Sequence, residues 1–319
     1  VQFSDLLTKW RNFWFEKQPP TAIAIYRILL GLFVLETTLL EIAPNFSYFY
    51  GEKAIVNIGT ISSYWWQRNP VFDLFLLVPQ KDCYLIIIFA LIIIAAVGLT
   101  LGLFTRLSSI IVYLGLLSLD RQCPFVLDGG DELMRLGSLI ICFSNAGAAY
   151  SIDSLLRGQK EIPLVSPWAQ RLLQVQVSIA YFFAFLNKVV GHQWQNGTAV
   201  YYVANLDDFI KSPTTLILAN MFFSVILTYY TLAIEFALAV LVWFKPLRYW
   251  ILLGGVFLHA GIDSCMNLPG FQWFFVSNYI LFVEPADIAR VIGQIKAFAH
   301  KFVSELPRSL YPWAGALKK

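Results

Sequence analysis

Residues 84–105 carry no charged side chain and consist mostly of Ile, Leu, Ala, Val and Phe. A helix needs about 20 such residues to cross a bilayer, because it rises about 1.5 Å per residue through roughly 30 Å of hydrocarbon. Comparable runs recur near 21–43, 107–120, 133–150, 169–190, 216–244, 248–265 and 270–284. Hydrophobic residues make up 58% of the chain and charged ones 13%, about half the charge of an ordinary soluble domain. The mean hydropathy is +0.65. No compact water-soluble fold of 319 residues hides that much apolar surface. The expected fold is all-α: a polytopic transmembrane helix bundle of about 8 spans, forming a single domain over 1–319.

The two ends read differently from the bundle at 20–285. In 1–17, Phe3, Leu6, Leu7, Trp10, Phe13 and Trp14 recur at helical spacing among charges. This is the pattern of an interfacial amphipathic helix, or of a helix packed on the body of the protein, and not of a cleavable signal. In 286–319, Ile288, Val291, Ile292, Ile295, Phe298 and Phe302 repeat the pattern, so an amphipathic tail is expected there. With the N-terminus inside, 15 Lys and Arg fall on inner segments and six on outer ones. This bias places both termini in the cytoplasm of a bacterial inner or plasma membrane. Tyr64, Trp65 and Trp66 suit a helix at the outer interface, and Asp207 and Asp208 belong to a second outer connection. The net charge of +3 is too dispersed for a nucleic-acid partner. Cys83, Cys123 and Cys265 fall near the outer face, where a disulfide is permitted, and the cysteine spacing has no metal-ligand pattern.

Ionisable residues inside the apolar runs need an explanation, since each costs roughly 2.5–3.5 kcal/mol near the bilayer centre. Arg27 and Glu36 lie in the first run, and Asp131 with Arg135 at i, i+4 spacing opens the fourth. Structural pairing is a sufficient reading for these four. Gln174, Tyr181 and Lys188 recur every seven residues and share one helix face, which must meet a partner helix or a wet cavity. A desolvated lysine readily becomes a neutral amine and then acts as a base, whereas a lysine at an interface snorkels to headgroups. Glu235 has no cation within a turn and must pair across helices, stay protonated or act. His259 and Asp263 have the spacing of a carboxylate-oriented imidazole, although a lone His on an apolar helix is more often a hydrogen-bonding core residue.

Four stretches resemble the vitamin K-dependent gamma-carboxylase-like family, whose membrane part is the HTTM (horizontally transferred transmembrane) domain. They are Ala24 to Gly31 with its embedded Arg27, the Gly-rich Gly98 to Arg106, the Tyr150-Ser151-Ile152-Asp153 motif, and Gln176, Tyr181 to Ala184, Lys188, Trp194 and Gly197. The resemblance implies that Lys188 deprotonates a vitamin K-like hydroquinone, with Glu235 and His259 at family acidic and His positions. It makes Gln176, Tyr181, Trp194, Asp263 and Arg27 the substrate-binding candidates. Departures are plain: Asn145 to Ala149 lacks the family His, and Ile262 stands where carboxylases have Asn. The large lumenal region that holds a carboxylase's protein substrate has no counterpart up to Lys319, so propeptide recognition is not expected.

Two readings of function therefore stand side by side. One is a lyase- or ligase-like membrane enzyme that uses a buried Lys as base on a quinone or quinol at the outer face. The other is a non-enzymatic partner in maturing or exporting a secreted peptide, or an accessory subunit of a membrane complex. A transporter is the third class, but inverted repeats are not visible. Membrane lipids are expected partners in every case, and no metal is expected.

Overall fold

The computed structural model describes residues 3–55, 72–124, 127–206, 211, 220–268 and 270–305. Tyr64, Trp65, Trp66, Asp207, Asp208 and the tail beyond 305 lie outside the described residues. The described chain is helical. Its principal elements are α1 (Phe3–Phe15), α2 (Thr21–Glu36), α3 (Asp82–Leu101), α4 (Thr105–Gln122), α5 (Gly129–Phe143), α6 (Trp168–Val189), α7 (Met221–Ala239), α8 (Lys245–Cys265), α9 (Phe271–Ser277) and α10 (Pro285–Glu305). An isolated β-bridge between Gln18 and Val165 ties the start of α2 to the start of α6.

Each of the eight apolar runs contains a helix, and among the described residues four helical segments are long and apolar enough to cross a membrane: Thr21–Phe49, Asp82–Leu101, Trp168–Val189 and Met221–Ala239. The first continues past α2 through a π-turn over Thr37–Ile42 and a 3-10 turn over Ala43–Asn45. The cause is Pro44, which has no amide hydrogen for the carbonyl one turn back and crowds it with its ring. The bundle has an apolar outer face as well as an apolar core, with small polar residues set between the helices. Ile86, Ile94, Phe222 and Phe257 are exposed, while Ser109, Ser118, Ser138, Ser224 and Thr228 are buried between helices. Exposed apolar faces of this extent cost nothing against lipid tails, and small polar residues let helices approach closely. At Gly31, where α2 crosses α3, an added Cβ would lie 2.8 Å from the Thr100 backbone nitrogen.

The expected Asp131–Arg135 pair does not form. Asp128 and Asp131 instead close a capping box on α5: Asp128 accepts from the Gly130 and Asp131 amides, and Asp131 accepts from the Asp128 amide. Four orphan amides at a helix start compete for these carboxylates and win over an exposed i, i+4 pair. Arg135 reaches Asp120 of α4 at 2.9 Å and Glu132 at 2.5 Å.

Three of the four family-like stretches meet at the end of the bundle that carries α1. Arg27, fully buried, donates to the Tyr150 carbonyl at 2.6 Å. The Asp153 carboxylate accepts from the Phe104 and Thr105 amides, both at 2.8 Å, and from the Thr105 hydroxyl at 2.7 Å. The Asp153 amide returns a bond to Gly102 at 2.9 Å. Gly102 ends α3 at φ +67°, and a Cβ there would lie 2.0 Å from Arg27 Nη1. Glycine is thus required twice, by conformation and by space.

Candidate functional site

A cavity of about 840 Å³ opens between α5, α6, α7, α8 and α9, running along α6 from Leu172 to Lys188, and Lys188 lies at its end away from α1. Its wall is mostly Leu, Ile, Val, Ala and Phe, with Gln176, Lys188, Glu235 and His259 as the principal polar groups. Leu136 of α5 with Leu172 and Ile179 of α6 belong both to this wall and to the exposed outer surface. The cavity therefore reaches the bundle's side between α5 and α6.

Lys188, in the last turn of α6, donates to Glu235 Oε1 of α7 at 2.8 Å, and its Nζ sits 5.5 Å from the centre of the Trp194 ring. Glu235 pairs across helices, one of the three outcomes its isolation in sequence allowed. Only Oε1 is engaged; Glu235 Oε2 is buried without a hydrogen-bond partner. Gln176 gives its amide to the Leu133 carbonyl at 3.3 Å, and its Oε1 is likewise buried and unpartnered. Two acceptor oxygens on lining residues are thus buried without a partner, each costing about 1–3 kcal/mol while it stays so.

A second chain of side chains runs behind the ion pair. Tyr181 meets His259 Nε2 at 2.6 Å and the Tyr279 hydroxyl at 2.8 Å, and His259 Nδ1 meets Gln272 Oε1 at 2.5 Å. With the Gln272 oxygen on Nδ1, that nitrogen carries the hydrogen. Nε2 then accepts from the Tyr181 hydroxyl, which in turn accepts from Tyr279. Phe275 stacks on the imidazole with centroids 5.4 Å apart. The relay fixes the orientation of the imidazole on the cavity wall.

Two sequence candidates are not part of this wall. Asp263 does not orient His259. It pairs with Lys211 at 3.2 Å, while Gln272, thirteen residues from His259, takes the place the spacing had suggested for it. A carboxylate one turn along α8 points past the imidazole, whereas a helix packed beside it faces the ring nitrogen. Arg27 sits at the α1 end with Tyr150 and Gly102, so its position is structural. Gln174, on the Lys188 face in sequence, also serves the α1 end, where it donates to the Leu281 carbonyl at 2.7 Å. Gln272 and Tyr279 escaped the sequence reading, although a Gln and a Tyr in the short apolar run 270–284 were the available signal.

The HTTM domain family model matches residues 15–286. The chain belongs to the HTTM domain family. This HTTM protein is 25% identical over 173 residues to the uncharacterized protein YitO of Bacillus subtilis strain 168, across 51% of the present chain and 55% of the relative. It therefore spans about half the length of the curated relative it matches. No solved structure matches it. Family and apolar helices together make it a membrane protein.

Proposed function

We propose that the cavity binds a quinol-like, lipid-soluble substrate and that Lys188 is the base that takes its hydroxyl proton. The observation that carries this reading is the Lys188–Glu235 ion pair on the wall of an otherwise largely apolar chamber. A quinol offers hydroxyl donors on a flat apolar ring and suits such a wall, whereas a quinone has only acceptors to present. Transfer of the ammonium proton from Lys188 to Glu235 across 2.8 Å leaves a neutral amine beside the bound hydroxyl. The Trp194 ring favours the ammonium when the proton returns. The Tyr181–His259–Gln272 relay holds the opposite wall in place.

In this reading the eight apolar runs that hold α2 to α9 all cross, the last being α9 continued by the 3-10 turn Asn278–Phe282, giving eight spans with both termini in the cytoplasm of a bacterial plasma membrane. The 15-to-six distribution of Lys and Arg and the bacterial relative support it. The Lys188 cavity then lies toward the outer leaflet, and its opening between α5 and α6 admits substrate from lipid.

The test is direct. Reconstituted protein is titrated with a short-chain naphthoquinol at neutral pH, and the absorbance of the quinolate is read. Wild type produces quinolate, Lys188→Ala lowers it by about 100-fold or more, and Lys188→Arg fails as well because a guanidinium holds its proton. Equal quinolate from Lys188→Ala would end the base role. Absence of any quinol binding, with a stoichiometric second chain co-purifying, would favour the non-enzymatic partner.

A further inference from the structure

A second cavity, of about 310 Å³, lies at the other end of the bundle under α1. It is independent of the quinol reading and has the opposite character. Three cations, Arg171, Lys245 and Arg248, line it with a single carboxylate, Glu284. That carboxylate is already shared by Arg248 at 2.7 Å and Lys245 at 3.3 Å. Burial alone would raise the Glu284 carboxyl, but the bonds from these two cations hold it below its ordinary range.

Arg171 is left without an acid. Its Nε donates to the Phe13 carbonyl at 3.2 Å, its Nη1 to Gln174 at 3.0 Å, and its plane lies over the Phe13 ring at 4.7 Å. Nη2 has no hydrogen-bond partner among the described residues. Gln170 and Gln174 are fixed on the Leu281 carbonyl, both at 2.7 Å, so the floor of the cavity is rigid. Arg171 and Arg248 repel each other, and one carboxylate bonded to only one of them leaves this repulsion standing. A bound anion relieves it, and a planar guanidinium with a spare edge is matched to a phosphate oxygen.

The surroundings set the depth. α1 supplies Phe13 to the cavity and exposes Leu6, Leu7 and Trp10, and α10 begins at the cavity's rim and exposes Val291, Ile295 and Phe302. Two amphipathic helices with apolar stripes at one end of a bundle place that end at headgroup level. We infer that this cavity is a phosphate site for the headgroup of an anionic phospholipid, held by Arg171, Lys245 and Arg248, which anchors α1 to the bundle.

Native mass spectrometry of the full chain from nanodiscs of phosphatidylglycerol mixed with phosphatidylcholine tests this, with inorganic phosphate as a competitor. The expected result is one phosphatidylglycerol retained over phosphatidylcholine by about tenfold. The preference should fall to near parity in Arg171→Gln/Lys245→Gln. Glu284→Gln, which removes the competing carboxylate, should retain phosphatidylglycerol more strongly, a gain that a merely unfolded variant does not give. Displacement by millimolar inorganic phosphate would reassign the site to the free ion and overturn the headgroup assignment. An unchanged preference in the double variant, or weaker retention in Glu284→Gln, would overturn the site itself.

Discussion

The Arg27–Gly102–Asp153 junction and the Lys188–Glu235 cavity are both built from family-like stretches, yet they handle buried polarity in opposite ways. At the junction the polar side chains mostly bind backbone: Arg27 the Tyr150 carbonyl, Asp153 the Phe104 and Thr105 amides. Around the cavity they bind one another, in the Lys188–Glu235 pair and the Tyr181–His259–Gln272 relay. Unpartnered buried atoms occur at both places, Nε and Nη1 of Arg27 at the junction and Glu235 Oε2 and Gln176 Oε1 on cavity-lining residues. A backbone partner cannot move without the fold, so the first arrangement locks three chain segments. Side-chain partners can exchange protons and change company, so the second is suited to a ligand. Sequence likeness alone does not separate a clamp from a working site; the type of hydrogen-bond partner does.

The contrast can be tested by substitution. Gly102→Ala should have the largest effect, because it combines a left-handed backbone with a Cβ placed 2.0 Å from Arg27 Nη1. A loss of about 3 kcal/mol is expected from strain and overpacking together, read as a lower unfolding midpoint in detergent. Near-wild-type stability would mean that the junction yields, and that it is no clamp. At the cavity, Lys188→Met should destabilise by about 1–2 kcal/mol, since it strands the Glu235 carboxylate. Adding Glu235→Gln should recover most of that loss. A double variant no better than the single would show that the pair is not coupled as the 2.8 Å contact requires.

The smallest effect belongs to pH. Burial would raise the Asp153 carboxyl, but its bonds from Thr105 and Phe104 outweigh this and hold it below its ordinary range. Its contribution is therefore complete above the unfolded value, about 3.9, and is lost as pH falls through the lower folded value. Asp153→Asn should flatten the acid limb of the thermal-stability profile below about pH 4. An unchanged acid limb would assign the acid sensitivity elsewhere.

How much of this could be read from the chain depends on the range of the interaction. Hydrophobic runs are local, and a helix lies in each predicted segment, including the short ones at α4 and α9. That Glu235 needed an explanation was legible too, because an acid alone in an apolar run must pair across helices, stay protonated or act. The identity of partners was not. Asp131 turned to the amides of its own helix start, and His259 found Gln272 on α9 instead of Asp263 one turn away. Spacing along one helix cannot rank a neighbour on that helix against one packed beside it. Arg27 stood under two readings for a related reason: a buried cation looks the same in sequence whether it holds a ligand or a carbonyl.

Leu136, Leu172 and Ile179 face the chamber and the outside at once. A molecule that arrives through that gap never has to leave the lipid phase. Its effective dose is then counted per lipid molecule, and diluting the proteoliposomes in buffer should leave occupancy untouched while diluting them with empty phospholipid lowers it.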